Sequence, residues 1–247
     1  MTQTDEEQSK LEKEVLRDLS WFFCGGDSPC HLITHINLNF SPEGSRLVKQ
    51  SPSTMYNLLL EYPKYHHEVR RAKWHDIPLE EQKPIRDRAR QEFCKSMDAE
   101  MLYQSWKSAV YRIPTSRQDF ILKVKEAESG IYGTGCQGEM RALEYVRTND
   151  LQFTAPQTYF SSEWFIAMED LSRYPTYHQF VEQHPECKDE LRTWLLGLNE
   201  TSPYRLDFDA IEDQRPREAG AFILAHDPKE SEMHKRYRVA VIDVGNF

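Results

Sequence analysis

Between Ser108 and Leu171 the side-chain pattern changes period in a fixed order, and that order constrains the chain more than anything else in it. Ser108-Ala-Val-Tyr-Arg-Ile113 is short, β-branched and aromatic, and reads as a strand. Pro114-Thr-Ser-Arg-Gln-Asp119 is a polar turn, and Phe120-Ile-Leu-Lys-Val124 is a second strand with one lysine inside an apolar run. Glu139-Met-Arg-Ala-Leu-Glu-Tyr-Val146 then places Met140, Leu143 and Val146 at helical spacing. Thr154-Ala-Pro-Gln-Thr-Tyr-Phe160 and Trp164-Phe-Ile-Ala-Met168 are strand candidates, closed by Glu169-Asp170-Leu171. Strand, strand, helix, strand, strand predicts an antiparallel sheet carrying one helix, an α+β unit.

Elsewhere the chain reads more simply. With 39% hydrophobic and 29% charged residues it has the composition of an ordinary folded domain. A net charge of -9 argues against general binding to nucleic acid or anionic membranes. No apolar run is long enough to span a bilayer, and the N-terminus lacks an apolar signal core, so a cytoplasmic protein is expected. Five scattered cysteines do not form a disulfide framework.

Residues 1–102 read as a mostly helical N-terminal extension. Thr4 to Phe23 suggests a helix, with Thr4 and Glu7 as a capping box. Cys30 to Phe40 alternates as a half-buried strand. A helix starts near Ser51 and carries Met55, Leu58 and Leu59, with Pro63, Pro78 and Pro84 as punctuation after it. Glu80 to Tyr103 reads as a heavily charged helix. Cys24, Cys30, His31 and His35 are zinc-ligand types without the spacing of a familiar finger, and buried thiols beside surface histidines are the better reading. His66-His67 reads as a solvated pair.

After Leu171, Tyr177 to Leu198 reads as a helix pair broken near Pro185. Leu191, Trp194, Leu195 and Leu198 form its apolar stripe, and Asn199 follows as a cap. Phe222-Ile-Leu-Ala-His-Asp227 and Tyr237-Arg-Val-Ala-Val-Ile-Asp243-Val-Gly245 complete the pattern.

In this order the residues resemble the protein-kinase-like superfamily, and within it the aminoglycoside phosphotransferase and choline kinase branch. The resemblance covers residues 103–247. It implies a kinase-like small lobe at 103–171 and a reduced helical large lobe at 172–247, because only Val244-Gly-Asn-Phe247 follow Asp243. It implies that Lys123 holds the phosphates of ATP and Glu139 holds Lys123, while Met168, Glu169 and Leu171 meet the adenine. Asp227 becomes the base that accepts a hydroxyl proton, and Asp243 a ligand of Mg2+. The sequence departs from the family at two places. Glu232 stands where an asparagine ligand of Mg2+ is usual, and Gln104-Ser-Trp-Lys-Ser108 stands where a glycine-rich loop is usual.

The resemblance therefore implies an ATP- and Mg2+-dependent phosphotransferase acting on a small-molecule or protein hydroxyl acceptor. A pseudokinase that binds and regulates is the first alternative, and a plain interaction protein with a protein partner is the second. Gly135-Cys136-Gln-Gly-Glu139 also loosely resembles the cysteine loop of cysteine proteases, without a general base placed by motif.

Overall fold

The structure is a computed structural model that describes residues 38–74, 77–126, 136–148, 153–201, 221–225 and 237–241. The described residues divide into two compact units. One holds those up to Met140 together with Thr158–Glu169, and the other those of Arg141–Gln157 and Asp170–Phe247. The helix expected at Thr4 to Phe23, the four zinc-ligand candidates and most of the strand expected at Cys30 to Phe40 lie outside the described residues.

The first unit is built on a six-stranded sheet in which every neighbouring pair is antiparallel. Its strands are β1 (Asn39–Phe40), β2 (Glu100–Gln104), β3 (Ser108–Ile113), β4 (Phe120–Lys125), β6 (Thr158–Ser161) and β7 (Phe165–Glu169), with β5 (Phe153–Thr154) belonging to the second unit. Their order across the sheet is β1-β6-β7-β4-β3-β2. The hairpin of β3 and β4 has the register expected of a six-residue polar turn, Ser108 facing Lys125 and Ile113 facing Phe120. Side chains alternate between faces along a strand. Ala109, Tyr111 and Ile113 of β3 and Phe120, Leu122 and Val124 of β4 therefore share one face, and all are buried.

That face forms one core with three helices, α1 (Pro42–Gln50), α2 (Pro52–Trp74) and α3 (Leu79–Met97). On α2 the buried residues Met55, Leu58, Leu59, Tyr62, Tyr65, Val69 and Ala72 recur at three- and four-residue steps. Aromatic rings make the contact with the sheet. Tyr62 meets Phe165 edge-on at 4.6 Å, and Phe93 meets Tyr111 at 5.0 Å, in the geometry aromatic pairs prefer. The stretch read as an N-terminal extension thus supplies the edge strand β1, the first part of the other edge strand β2, and one wall of the core.

Two readings of this stretch are corrected. Pro63 and Pro84 lie inside α2 and α3 and do not end them. A proline inside a helix forfeits one backbone bond and costs about 3 kcal/mol, which the buried faces of both helices outweigh. The helix expected to run to Tyr103 stops at Met97, because Asp98 takes the left-handed conformation (φ 52°) and the chain enters β2.

The second unit contains a small sheet. Here β9 (Tyr237–Val241) lies between β5, to which it is parallel, and β8 (Ala221–Ala225), to which it is antiparallel. Helix α4 (Cys136–Thr148) begins in the first unit; α5 (Tyr177–Gln183) and α6 (Lys188–Thr201) belong to the second, and a 3-10 turn, Pro185–Cys187, separates the latter two as expected. Thr176 and Gln179 form a capping box at the start of α5, and Phe180 packs edge-on against Tyr237 at 4.9 Å. Leu191 and Leu195 are buried and Trp194 is half-buried, whereas Leu198 lies outside the described side chains. Asn199 does not cap α6, which continues to Thr201. No helix among the described residues is long and apolar enough to cross a membrane.

Helix α1 docks on β6 through Ser41, whose hydroxyl caps Gly44 N–H at 3.0 Å and donates to the Thr158 carbonyl at 2.6 Å. A side chain at Gly44 would place its Cβ 1.7 Å from the Tyr159 carbonyl oxygen. Gly44→Ala is expected to destabilise the fold by roughly 3 kcal/mol or more through backbone displacement. Gly197, with nothing within 4 Å of its Cβ position in α6, makes the contrast. Gly197→Ala is expected to stabilise by roughly 0.5–1 kcal/mol. Denaturant melts of both variants check the two signs.

Candidate functional site

The face of β4 opposite the core carries Ile121, Lys123 and Lys125, all half-buried. Lys123 pairs across the ladders with Val110 on β3 and with Ile166 on β7, and Ile121 pairs with Met168. Partners in register point to the same face. On that face Lys123 has Val110, Ile121, Ile166 and Met168 beside it, with Arg112 opposite Ile121 and Lys125 one step further along β4.

A lysine in such a place needs a fixed counter-charge. Glu139, in the first turn of α4, supplies it: Lys123 Nζ lies 2.7 Å from Glu139 Oε1. The ammonium-bearing side chain is 16% exposed and the carboxylate-bearing one 4%. The pair is sheltered from solvent screening. A carboxylate in the first turn is also favoured by the helix dipole. The backbone holds both partners. Lys125 N–H donates to the Trp164 carbonyl at 2.7 Å, and Cys136 N–H, opening α4, donates to the Glu163 carbonyl at 3.2 Å.

Cys136 itself is buried. Burial first, and then the Glu139 charge, push its thiol up to about 12 against the opposing effect of Lys125 and Lys123. A buried thiol held protonated is a weak nucleophile, which counts against the likeness to a cysteine-protease loop.

The other residues singled out from the sequence are distributed as follows. Met168 is buried on the Lys123 face, and Glu169, half-buried, ends β7 opposite Phe120. Leu171 is buried in the second unit, where its carbonyl accepts from Tyr174 N–H at 2.9 Å. Asp227, Glu232 and Asp243 lie outside the described residues. Among the described residues no group of three or more His, Cys, Asp or Glu side chains could hold a metal ion.

The turn between β2 and β3 is internally bonded. Ser105 Oγ accepts from Lys107 N–H at 3.1 Å and Ser108 N–H at 3.0 Å, and Ser105 N–H donates to the Ser108 carbonyl at 2.8 Å. Amides used in this way do not cradle an anion.

One cluster was missed from sequence. Glu126, directly after β4, has a side chain with no exposed surface. Arg86 Nη2 reaches its Oε2 at 2.7 Å, and Arg90 grips it as a fork, Nε to Oε1 at 2.8 Å and Nη2 to Oε2 at 2.5 Å. Tyr65 hydroxyl also donates to Oε1. Desolvation alone would raise the carboxyl pKa; Arg90, with Tyr65 and Arg86, overrides it and holds the carboxyl below its ordinary range. The available signal was helical spacing: Arg86 and Arg90 fall on the same face of α3 as Ala89, Phe93 and Met97.

His66 is not solvated as read. It stacks on Tyr62 at 5.5 Å and lies 5.0 Å from the Trp164 ring, which Arg70 covers, while His67 is exposed.

No family model matches this chain, and no curated protein matches it. Among solved structures, one titled "Structure of the streptomycin-ATP-APH(2")-IIa ternary complex" aligns with 63% of this chain and 69% of its own, at 15% identity and a TM-score of 0.29.

Burial, then Arg70 and His67, push the His66 pKa from 6.5 down to about 4. Above pH 6.5 the imidazole is neutral both folded and unfolded. As pH falls from 6.5 to 4 the unfolded chain takes the proton first, so the fold loses stability, by roughly 3 kcal/mol at most. Below about pH 4 the loss levels off. His66→Phe is expected to flatten this part of a stability–pH curve measured by chemical denaturation.

Proposed function

We propose that this chain is a kinase-like phosphotransferase that uses ATP and Mg2+ and transfers phosphate to the hydroxyl of a small molecule or protein. The observation that carries the reading is the Lys123–Glu139 pair, 2.7 Å apart, mostly buried, with the lysine on a central strand and the glutamate on the helix that follows it. Phosphoryl transfer is catalysed chiefly by positioning and by charge neutralisation, and a lysine fixed by a carboxylate is what holds α- and β-phosphates in place. Val110, Ile121 and Met168 on the same face offer the flat apolar surface a purine ring requires.

On this reading Glu169 and Leu171, with Met168, meet the base edge. Asp243 and Glu232 would hold Mg2+ through hard carboxylate oxygens, and the ion would supply charge neutralisation at the phosphates. Asp227 accepts the acceptor's hydroxyl proton.

The second reading is a pseudokinase that binds nucleotide without efficient transfer. The bonded turn at Gln104–Ser108 favours it, since its Lys107 and Ser108 amides are committed to Ser105. Turnover separates the two.

Ligand that binds only the folded state raises the melting temperature by mass action. Wild-type protein is expected to melt higher with ATP and Mg2+ than with neither, and Lys123→Ala to lose that shift. In the phosphotransferase reading Asp227→Asn keeps the shift and loses on the order of a hundredfold in turnover. Wild-type melting unchanged by ATP and Mg2+ would contradict both readings.

A further inference from the structure

We propose that Glu126, clasped by Arg86 and Arg90, is a positioning device that sets the place of Lys123 against Glu139. Glu126 stands three residues beyond Lys123, and its backbone N–H, bonded to the Lys107 carbonyl at 2.8 Å, still belongs to the sheet. By strand alternation its side chain faces the helices while Lys123 faces the other side. Residues 127–135 then lead to α4 and Glu139. The clasp therefore sits where the strand bearing the cation gives way to the connection leading to its carboxylate.

The clasp fastens more than β4. Arg86 Nη2 and Arg90 Nη2 also donate to the Ser105 carbonyl, at 2.9 and 2.6 Å, and Arg90 Nη1 reaches Gln104 Oε1 at 2.9 Å and Asp87 Oδ1 at 3.2 Å. Tyr111 hydroxyl donates to Tyr65 hydroxyl at 3.2 Å, extending the network to β3. Two arginines of one helix thus tie the end of β4 and the β2–β3 turn to each other. The two arginine and two carboxylate charges balance.

Stability alone does not call for such a cluster. Buried ionic clusters replaced by apolar residues of similar volume often leave a protein as stable or more so, because desolvating the charges consumes most of their attraction. What ions supply and hydrocarbon does not is direction: a forked arginine accepts a carboxylate in one orientation. The clasp holds the strand end in register, and Lys123 is on that strand.

The consequence for nucleotide affinity rests on the reading of Lys123 given above; the positioning itself does not. The test therefore reads Lys123 directly. Purified full-length wild type, Glu126→Gln, Arg90→Lys and a core control, Leu58→Ala, are pulsed with acetic anhydride well below their melting temperatures. Acetylation of Lys123 is quantified by peptide mass spectrometry relative to the exposed Lys64. A lysine held by Glu139 acylates slowly. Glu126→Gln is expected to speed acylation of Lys123 on the order of fivefold, Arg90→Lys by less, and Leu58→Ala not at all. Where wild type binds ATP, affinity should fall by a similar factor in Glu126→Gln. Faster acylation in a protein that binds no ATP supports the positioning and overturns the nucleotide reading. Acylation of Lys123 unchanged in Glu126→Gln, or raised equally in Leu58→Ala, overturns the positioning. If Glu126→Gln does not fold, the same comparison between Arg90→Lys and Leu58→Ala decides.

Discussion

A carboxylate without exposed surface must be paired with positive charge and hydrogen-bonded at both oxygens, and Glu126 imposes that requirement on the first unit. Meeting it fixes where α3 lies, because Arg86 and Arg90 reach the carboxylate only with one face of that helix turned inward. It brings Tyr65 of α2 to the same point, and it holds the Ser105 carbonyl of the β2–β3 turn. The apolar core around Tyr62, Phe93, Tyr111 and Phe165 supplies the bulk of the burial. It is not directional; the ionic cluster is.

The two faces of β4 divide the labour. Phe120, Leu122, Val124 and Glu126 look toward the helices and settle the position of the strand. Ile121, Lys123 and Lys125 look the other way and present one ammonium against Glu139 among apolar neighbours. A one-residue slip of β4 would exchange these roles and bury two lysines in the core. The register of the sheet and the chemistry of the candidate site are therefore the same constraint.

Much of this was legible in the sequence. The order of residues 108–169 stands in the structure except at residues 154–160, which read as one strand and divide into the end of β5 in the small sheet and β6 in the six-stranded one. The pairing of Lys123 with Glu139, which the resemblance implied, is also present, and a charge placed inside an apolar run calls for such a partner. What escaped was non-local. Glu126 lies 36 and 40 residues from its arginines and 61 from Tyr65, and no local pattern announces such partners. The same blindness applied to Pro63 and Pro84, whose backbone effect is overridden by burial of faces that only the tertiary fold reveals. His66 was misjudged because its neighbour His67 is indeed exposed, and adjacent helix residues point in different directions.

The central claim is that Lys123 contacts nucleotide phosphate. An ATP analogue bearing an acyl group on its terminal phosphate transfers that group to a lysine beside the phosphates, and the modified peptide is identified by mass spectrometry. The account predicts labelling at Lys123, suppressed by excess ATP with Mg2+. Labelling spread over exposed lysines and indifferent to ATP would contradict it.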